Sequence, residues 1–353
     1  MSATLATSFR NASNFTIPCI YHNDSKLYNG TTTVAFSQSA FQRIFMPTFI
    51  VCIVVFGVTL NGVGVVDFFR SHVPKTPFNI NIVHLLSLNI VLVLTQQVMN
   101  SIGVFYPGRR GWLLGNRACD LYLFCNTMLN ALIVNSHGLL ALNRTWAIMH
   151  PFSYRSHNTN KLSVQLIAWL WIYILLMELP LWLMDLITYR KPVETNGCII
   201  NSLAQPVYNT VVVLFISTLP VLAVWVAYIV VIVYKIQRRK VLRVRPFDNS
   251  ASGTLQHAAG AGENVGSGSA IGTGQRLAKK RQSRSFVIMT LLTVGVTVCY
   301  GPRTVLNALR SFTNISTTSD VQQNTALLIS CQVVVDPVLL MLTPKFLQRG
   351  SRS

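Results

Sequence analysis

Acidic residues are scarce in this chain. Ten Asp and Glu stand against 29 Lys and Arg in 353 residues, and all charged types together reach only 11%. A soluble domain carries about 25%, so a water-facing globule is excluded as a description of the whole chain. The alternation of apolar and polar residues that marks a membrane β-barrel is also missing. So are the internal repeats and paired broken helices of many transporters, which leaves transport a distant alternative. The sequence offers no nucleophile with its base, no metal-ligand cluster and no phosphate loop, so no catalytic residue, metal or cofactor is expected. The first 43 residues lack the apolar core of a cleaved signal peptide, so the first apolar run must itself direct insertion.

What is abundant is apolar sequence, at 51%. It is gathered into seven runs near or above the roughly 20 residues that cross a bilayer as a helix. They fall at 44–69, 79–105, 118–142, 162–184, 207–234, 286–309 and 324–343. Inside hydrocarbon each backbone polar group must be satisfied within its own segment, so the runs predict helices. The expected fold is an all-α membrane protein, a bundle of seven transmembrane helices over 44–347.

Most of the Lys and Arg fall in alternate connections and after the last run, including Arg70, Lys75, Arg144, Arg155, Lys161 and the stretch from Lys235 to Arg284. By the positive-inside rule that side is cytosolic. A basic stripe beside membrane helices suits anionic lipid or an acidic partner surface rather than nucleic acid. The N-terminal tail, 1–43, is then extracellular. It carries glycosylation sequons at Asn11, Asn14, Asn23 and Asn29, in agreement with the charge pattern. Residues 246–275 are rich in Gly, Ala and Ser and read as a disordered cytosolic linker within the third intracellular loop. A short tail, 348–353, ends the chain. Cys119 and Cys198 both lie on the oxidising side and form the natural disulfide pair. Cys19 is left over, open to a free thiol, an interchain bond or a partner.

The motifs sharpen this topology. Asn61 lies in the first run, Asn89 in LLSLNIVLVLT, and Cys119 stands 25 residues before Arg144, which is followed by TWAIMHPFSYR. Trp169 or Trp171 and Pro180 mark the fourth run, and Pro220 and Tyr228 the fifth. Cys299-Tyr300-Gly301-Pro302 and Asp336-Pro337-Val338-Leu339-Leu340 mark the last two. In order and spacing these positions resemble the rhodopsin-like G-protein-coupled receptors over nearly all of 40–347. The resemblance implies a plasma-membrane receptor with its N-terminus outside, an extracellular ligand and a heterotrimeric G protein as partner. It also implies a short membrane-surface helix at Phe346. A seven-helix protein that signals constitutively or scaffolds partners is the competing reading.

Departures fall on switch positions. Asn89 replaces the family's buried aspartate and Asp336 its seventh-helix asparagine, so the carboxylate and amide are expected to face each other in exchanged places. Asn89→Asp should then rescue Asp336→Asn. Asn143 replaces the acid before Arg144, and Gln282 stands where many members carry a sixth-helix acid. Loss of both partners predicts raised basal activity, whereas Leu340 in place of a tyrosine weakens the active-state contact with Tyr228. Ile133 occupies a place where the family commonly supplies a hydroxyl, so sodium regulation is not expected. Of the carboxylates, only Glu178 and Asp336 are expected to lie deep.

By resemblance the ligand pocket opens outward between the third, fifth, sixth and seventh helices, at Tyr122, Asn126, Asn130, Tyr300 and Arg303. Asn126 takes the place of the aspartate of amine receptors, which disfavours a cationic amine. Arg303, with Arg109, Arg110, Arg117, Arg190, Lys191 and Arg310 around the rim, favours an acidic ligand, either a peptide or a small carboxylate. The alternative partner of Arg303 is Glu178. The segment TYRKPVETNGCII reads as a hairpin lid of the peptide-receptor type, with neuropeptides among the candidates.

Overall fold

The structure, a computed structural model, describes residues 44–70, 76–105, 112–193, 197–201, 204–244, 286–287, 289–313 and 319–341. The tail sequons, Cys19, the 246–275 linker, Gln282 and Phe346 lie outside them.

Helix α1 spans Met46–Arg70. Helix α2 runs from Pro77–Leu92 through a wide π turn at Val93–Gln97 into Val98–Phe105. Helix α3 is Gly115–Met149, and α4 is Asn160–Met184 with a π turn at Asp185–Tyr189. Helix α5 joins Pro206–Val212, a π turn at Val213–Thr218 and Leu219–Val244. Helix α6 is a bent pair, Met289–Cys299 and Gly301–Thr313, and α7 is Ser319–Met341. A short helix, Pro151–His157, follows α3.

Local chemistry explains the ends. Thr76 and Thr159 cap α2 and α4, their hydroxyls accepting from the backbone N–H of Asn79 and Leu162. Pro77 follows the first cap, where a missing N–H costs nothing. The 48° bend of α6 falls at Tyr300, two residues before Pro302, whose ring cannot complete the helical ladder.

Burial is inverted relative to a soluble protein. Val55, Phe56, Trp169, Leu176 and Ile229 are exposed on the outside, whereas Asn61, Asn89, Ser136, His137, Gln332 and Asp336 are buried. Among the described residues, five helices are long and apolar enough to cross a membrane, and the bent α6 makes six. Helix α3 is the exception because it is the central post, packed against α2, α4 and α5. A helix lined by protein can carry Asn126, Asn130, Asn135 and His137 without meeting lipid, and so loses its apolar signature. It also continues past the predicted end at 142, to Met149.

Close packing marks the joints. A methyl added at Gly57 would meet Val93 Cγ2 at 2.9 Å and Val333 Cγ1 at 3.1 Å, so glycine lets α1, α2 and α7 approach. The π turn in α5 frees the Ile216 carbonyl, which accepts from Asn135 Nδ2 on α3 at 2.8 Å.

Candidate functional site

Three polar layers are stacked along α3. The outer one is held by the Cys119–Cys198 disulfide, which pins the fourth-to-fifth connection to the top of α3. Arg190 sits beside it and donates to Asp185 Oδ2 and, at 3.0 Å, to Asp120 Oδ1. Asp185 also accepts the Asn201 backbone N–H at 2.8 Å. This corrects two expectations. Asp185 is fully buried, so the deep carboxylates are not limited to Glu178 and Asp336. The charge of Arg190 is committed to Asp185 and Asp120 rather than offered at the rim. Arg117 and Lys191 are exposed, while Arg109, Arg110 and the Arg310 side chain lie outside the described residues. Of the expected hairpin lid, the described part is a turn, with the Val193 carbonyl accepting from the N–H of Gly197 and Trp112.

Beneath this cap lies a cavity of about 370 Å³. Tyr122, Asn126 and Asn130 reach it from α3, Gln96, Gln97 and Asn100 from α2, Arg303 from α6 and Ser330 from α7. The wide turn at Val93–Gln97 brings the successive side chains of Gln96 and Gln97 to the same wall. An amide chain stiffens it: Asn130 Nδ2 donates to Gln96 Oε1 at 3.1 Å and to Asn126 Oδ1 at 3.0 Å, and Gln97 Nε2 donates to Ser330 Oγ at 2.9 Å. The cavity therefore leans toward α1, α2 and α7, and among the described residues none from α5 lines it, unlike the pocket expected from the resemblance. Tyr300 is not at its wall; it is buried against His137, ring centroids 6.2 Å apart. Glu178 is buried on α4 and does not line the cavity either.

The middle layer joins four helices. Asp336 Oδ2 accepts from Asn89 Nδ2 at 3.1 Å, and Asn89 Nδ2 lies 3.2 Å from Asn61 Oδ1. Asn61 Nδ2 in turn donates to the Val333 carbonyl at 2.8 Å. Asp336 Oδ1 meets His137 Nε2 at 2.8 Å and accepts from the Gln332 amide. His137 and Gln332 were not anticipated. Their signals were present: a histidine in mid-span is costly in hydrocarbon, and Gln332 precedes Asp336 by one helical turn.

The third layer, at the end away from the disulfide, centres on Arg144. Its guanidinium carbon stands 3.0 Å from the centre of the Phe78 ring on α2. Its Nε is buried with no hydrogen-bond partner among the described residues. Neighbouring Asn143 accepts from the Tyr154 hydroxyl at 2.9 Å. Burial raises the Tyr154 phenol above its ordinary range, so it is a neutral donor at physiological pH. On α5, Tyr228 stacks on Phe286, centroids 6.2 Å apart. Of the two candidate tryptophans, both exposed, Trp171 is the less so, at 37% against 67% for Trp169, and donates to His84 Nε2 at 3.0 Å.

Apolar spans packed in one bundle, with a disulfide at one end and a buried polar centre, define a multi-pass α-helical membrane protein. Residues 60–340 match the family described as "7 transmembrane receptor (rhodopsin family)", well over half of the chain, and the chain belongs to that family. The family is one of receptors, not enzymes. The chain is 25% identical over 169 residues to the 5-hydroxytryptamine receptor 1B of Canis lupus familiaris, covering 47% of this chain and 42% of that one. It is 27% identical over 154 residues to the melanopsin of Branchiostoma belcheri, covering 43% and 21%. With the 5-hydroxytryptamine receptor 1B of Didelphis virginiana it shares 24% over 229 residues, covering 64% and 55%. The matched stretch thus spans less than half the length of the first of these relatives.

Proposed function

We propose that this chain is a G-protein-coupled receptor of the plasma membrane, N-terminus outside, whose extracellular ligand presents a carboxylate to the α1–α2–α3–α6–α7 cavity. The carrying observation is the wall itself: one guanidinium, Arg303, among the amides of Gln96, Gln97, Asn100, Asn126 and Asn130. Guanidinium binds carboxylate through a matched pair of donors, and amides solvate the remaining oxygens. At about 370 Å³ the cavity has room for a small acid or for the acidic end of a peptide. No Asp or Glu lines it among the described residues, which disfavours the cationic amine that the name of the 5-hydroxytryptamine relatives would suggest. The cytosolic end around Arg144 then engages a heterotrimeric G protein.

A second reading, constitutive signalling, draws on Arg144, which has a ring rather than a carboxylate beside it. Expression with a panel of G proteins separates the two. Basal output is recorded first, then responses to small carboxylates and to peptides with free or amidated C-termini. A response to an acid that Arg303→Ala abolishes, with surface delivery intact, supports the ligand reading. High basal output that no acid changes supports constitutive signalling, and silence throughout overturns both.

A further inference from the structure

His137 has no task in the function just proposed, yet it is fully buried, with Nδ1 facing a carbonyl oxygen and Nε2 facing both Asp336 Oδ1 and, at 3.1 Å, the Gln332 amide nitrogen. Nδ1 lies 2.8 Å from the Ile133 carbonyl, one turn back on α3. A carbonyl oxygen only accepts, so Nδ1 carries a hydrogen. Nε2 lies 2.8 Å from Asp336 Oδ1, an oxygen that also accepts from the Gln332 amide. The other carboxyl oxygen accepts from Asn89 Nδ2 at 3.1 Å. Amide donors on both oxygens favour the ionised carboxylate, which places the proton of its contact with His137 on Nε2 in the resting arrangement. Both ring nitrogens are then protonated, and the ring is an imidazolium.

We propose that His137 is the counter-cation of Asp336, so that imidazolium and carboxylate form a buried ion pair tying α3 to α7. Among the described residues, the groups that face the pair include no other cation. Helices α1 and α2 face the pair with the amides Asn61 and Asn89, α6 with Tyr300 and Cys299, and α7 with Gln332 and Cys331. Arg144 lies seven residues on, about 10 Å along the helix. A carboxylate cannot stay charged in this setting without a partner, and the chain provides one.

The pair also makes the α3–α7 spacing two-state. Separating two charges in a medium of low dielectric is far costlier than separating two neutral groups. Any motion that parts the helices is therefore preceded by transfer of the proton from Nε2 to Oδ1. One N–H bond breaks, one O–H bond forms, and no net charge appears. This holds whatever ligand the outer cavity takes.

The test reads protonation directly, on the full chain in lipid nanodiscs with ¹⁵N-labelled histidine. His137→Gln, which keeps one donor toward Asp336, assigns the His137 resonance by its disappearance. The wild type is expected to show both ring nitrogens protonated, and infrared spectra to show no acid carbonyl stretch from Asp336. In Asp336→Asn the His137 signal is expected to move to a neutral ring with one protonated nitrogen. In His137→Gln the acid carbonyl stretch of Asp336 is expected to appear. A neutral His137 ring in the wild type overturns the proposal, and this measurement needs no destabilised variant. A protonated ring that Asp336→Asn leaves unchanged overturns it as well.

Discussion

Helix α3 carries two basic side chains seven residues apart, His137 fully buried and Arg144 half-buried, and treats them in opposite ways. His137 meets a carboxylate that three further helices help to hold, through Asn61, Asn89 and Gln332. Arg144 meets the face of Phe78 and leaves its Nε without a partner. The central cation is fixed by charge and directed hydrogen bonds. Arg144 is held by a softer contact that a change of partner can replace. The two sites differ in whether a carboxylate is within reach.

Breaking the centre has the largest expected effect. His137→Leu leaves Asp336 buried without its cation, and removing one member of a buried pair costs about 3–5 kcal/mol. Thermal unfolding and surface expression should both fall sharply. Cys198→Ser releases the outer cap, with an expected loss of about 2–4 kcal/mol and an additional loosening of Arg190 and Asp185. Neither substitution touches Arg144, so any change in basal signalling should follow the amount of folded receptor at the surface.

The Arg144 end should show the reverse pattern. Phe78→Leu removes a cation–π contact worth about 0.5–2 kcal/mol. Basal G-protein turnover per surface receptor should rise several-fold with little change in unfolding temperature, and an unchanged or lower turnover would remove Phe78 as a restraint on Arg144. Tyr154→Phe deletes one hydrogen bond to Asn143, worth about 1 kcal/mol. A smaller rise, below that of Phe78→Leu, is expected in the same assay.

The same contrast explains what the sequence made legible. Apolar runs and the spacing of Cys119, Arg144 and the helix prolines were enough for the seven-helix reading, because hydrocarbon leaves the backbone few alternatives. The pairing of Asn89 with Asp336 was legible too, since two departures at facing positions cancel. His137 was overlooked because a histidine adds nothing to a formal charge and reads as an ordinary polar residue until its partner is seen. Phe78 was invisible for a different reason: an aromatic residue at the start of an apolar helix has the look of a core residue, and only the fold brings Arg144 over its ring. Arg190 was assigned to the rim on charge alone, while Asp185, its partner, is buried by a π turn that the residue pattern does not announce. That cavity's lean toward α2 comes from another such turn, at Val93–Gln97.

The central claim, that Asp336 is held by a cation built into α3, is tested most directly by a double-mutant cycle. Unfolding of the full chain in nanodiscs is measured for the wild type, His137→Leu, Asp336→Asn and the two together. A coupling of at least about 2 kcal/mol is predicted, with the double variant more stable than His137→Leu alone. Additive losses, agreeing within about 0.5 kcal/mol, would contradict the pair and leave His137 and Asp336 as independent buried groups.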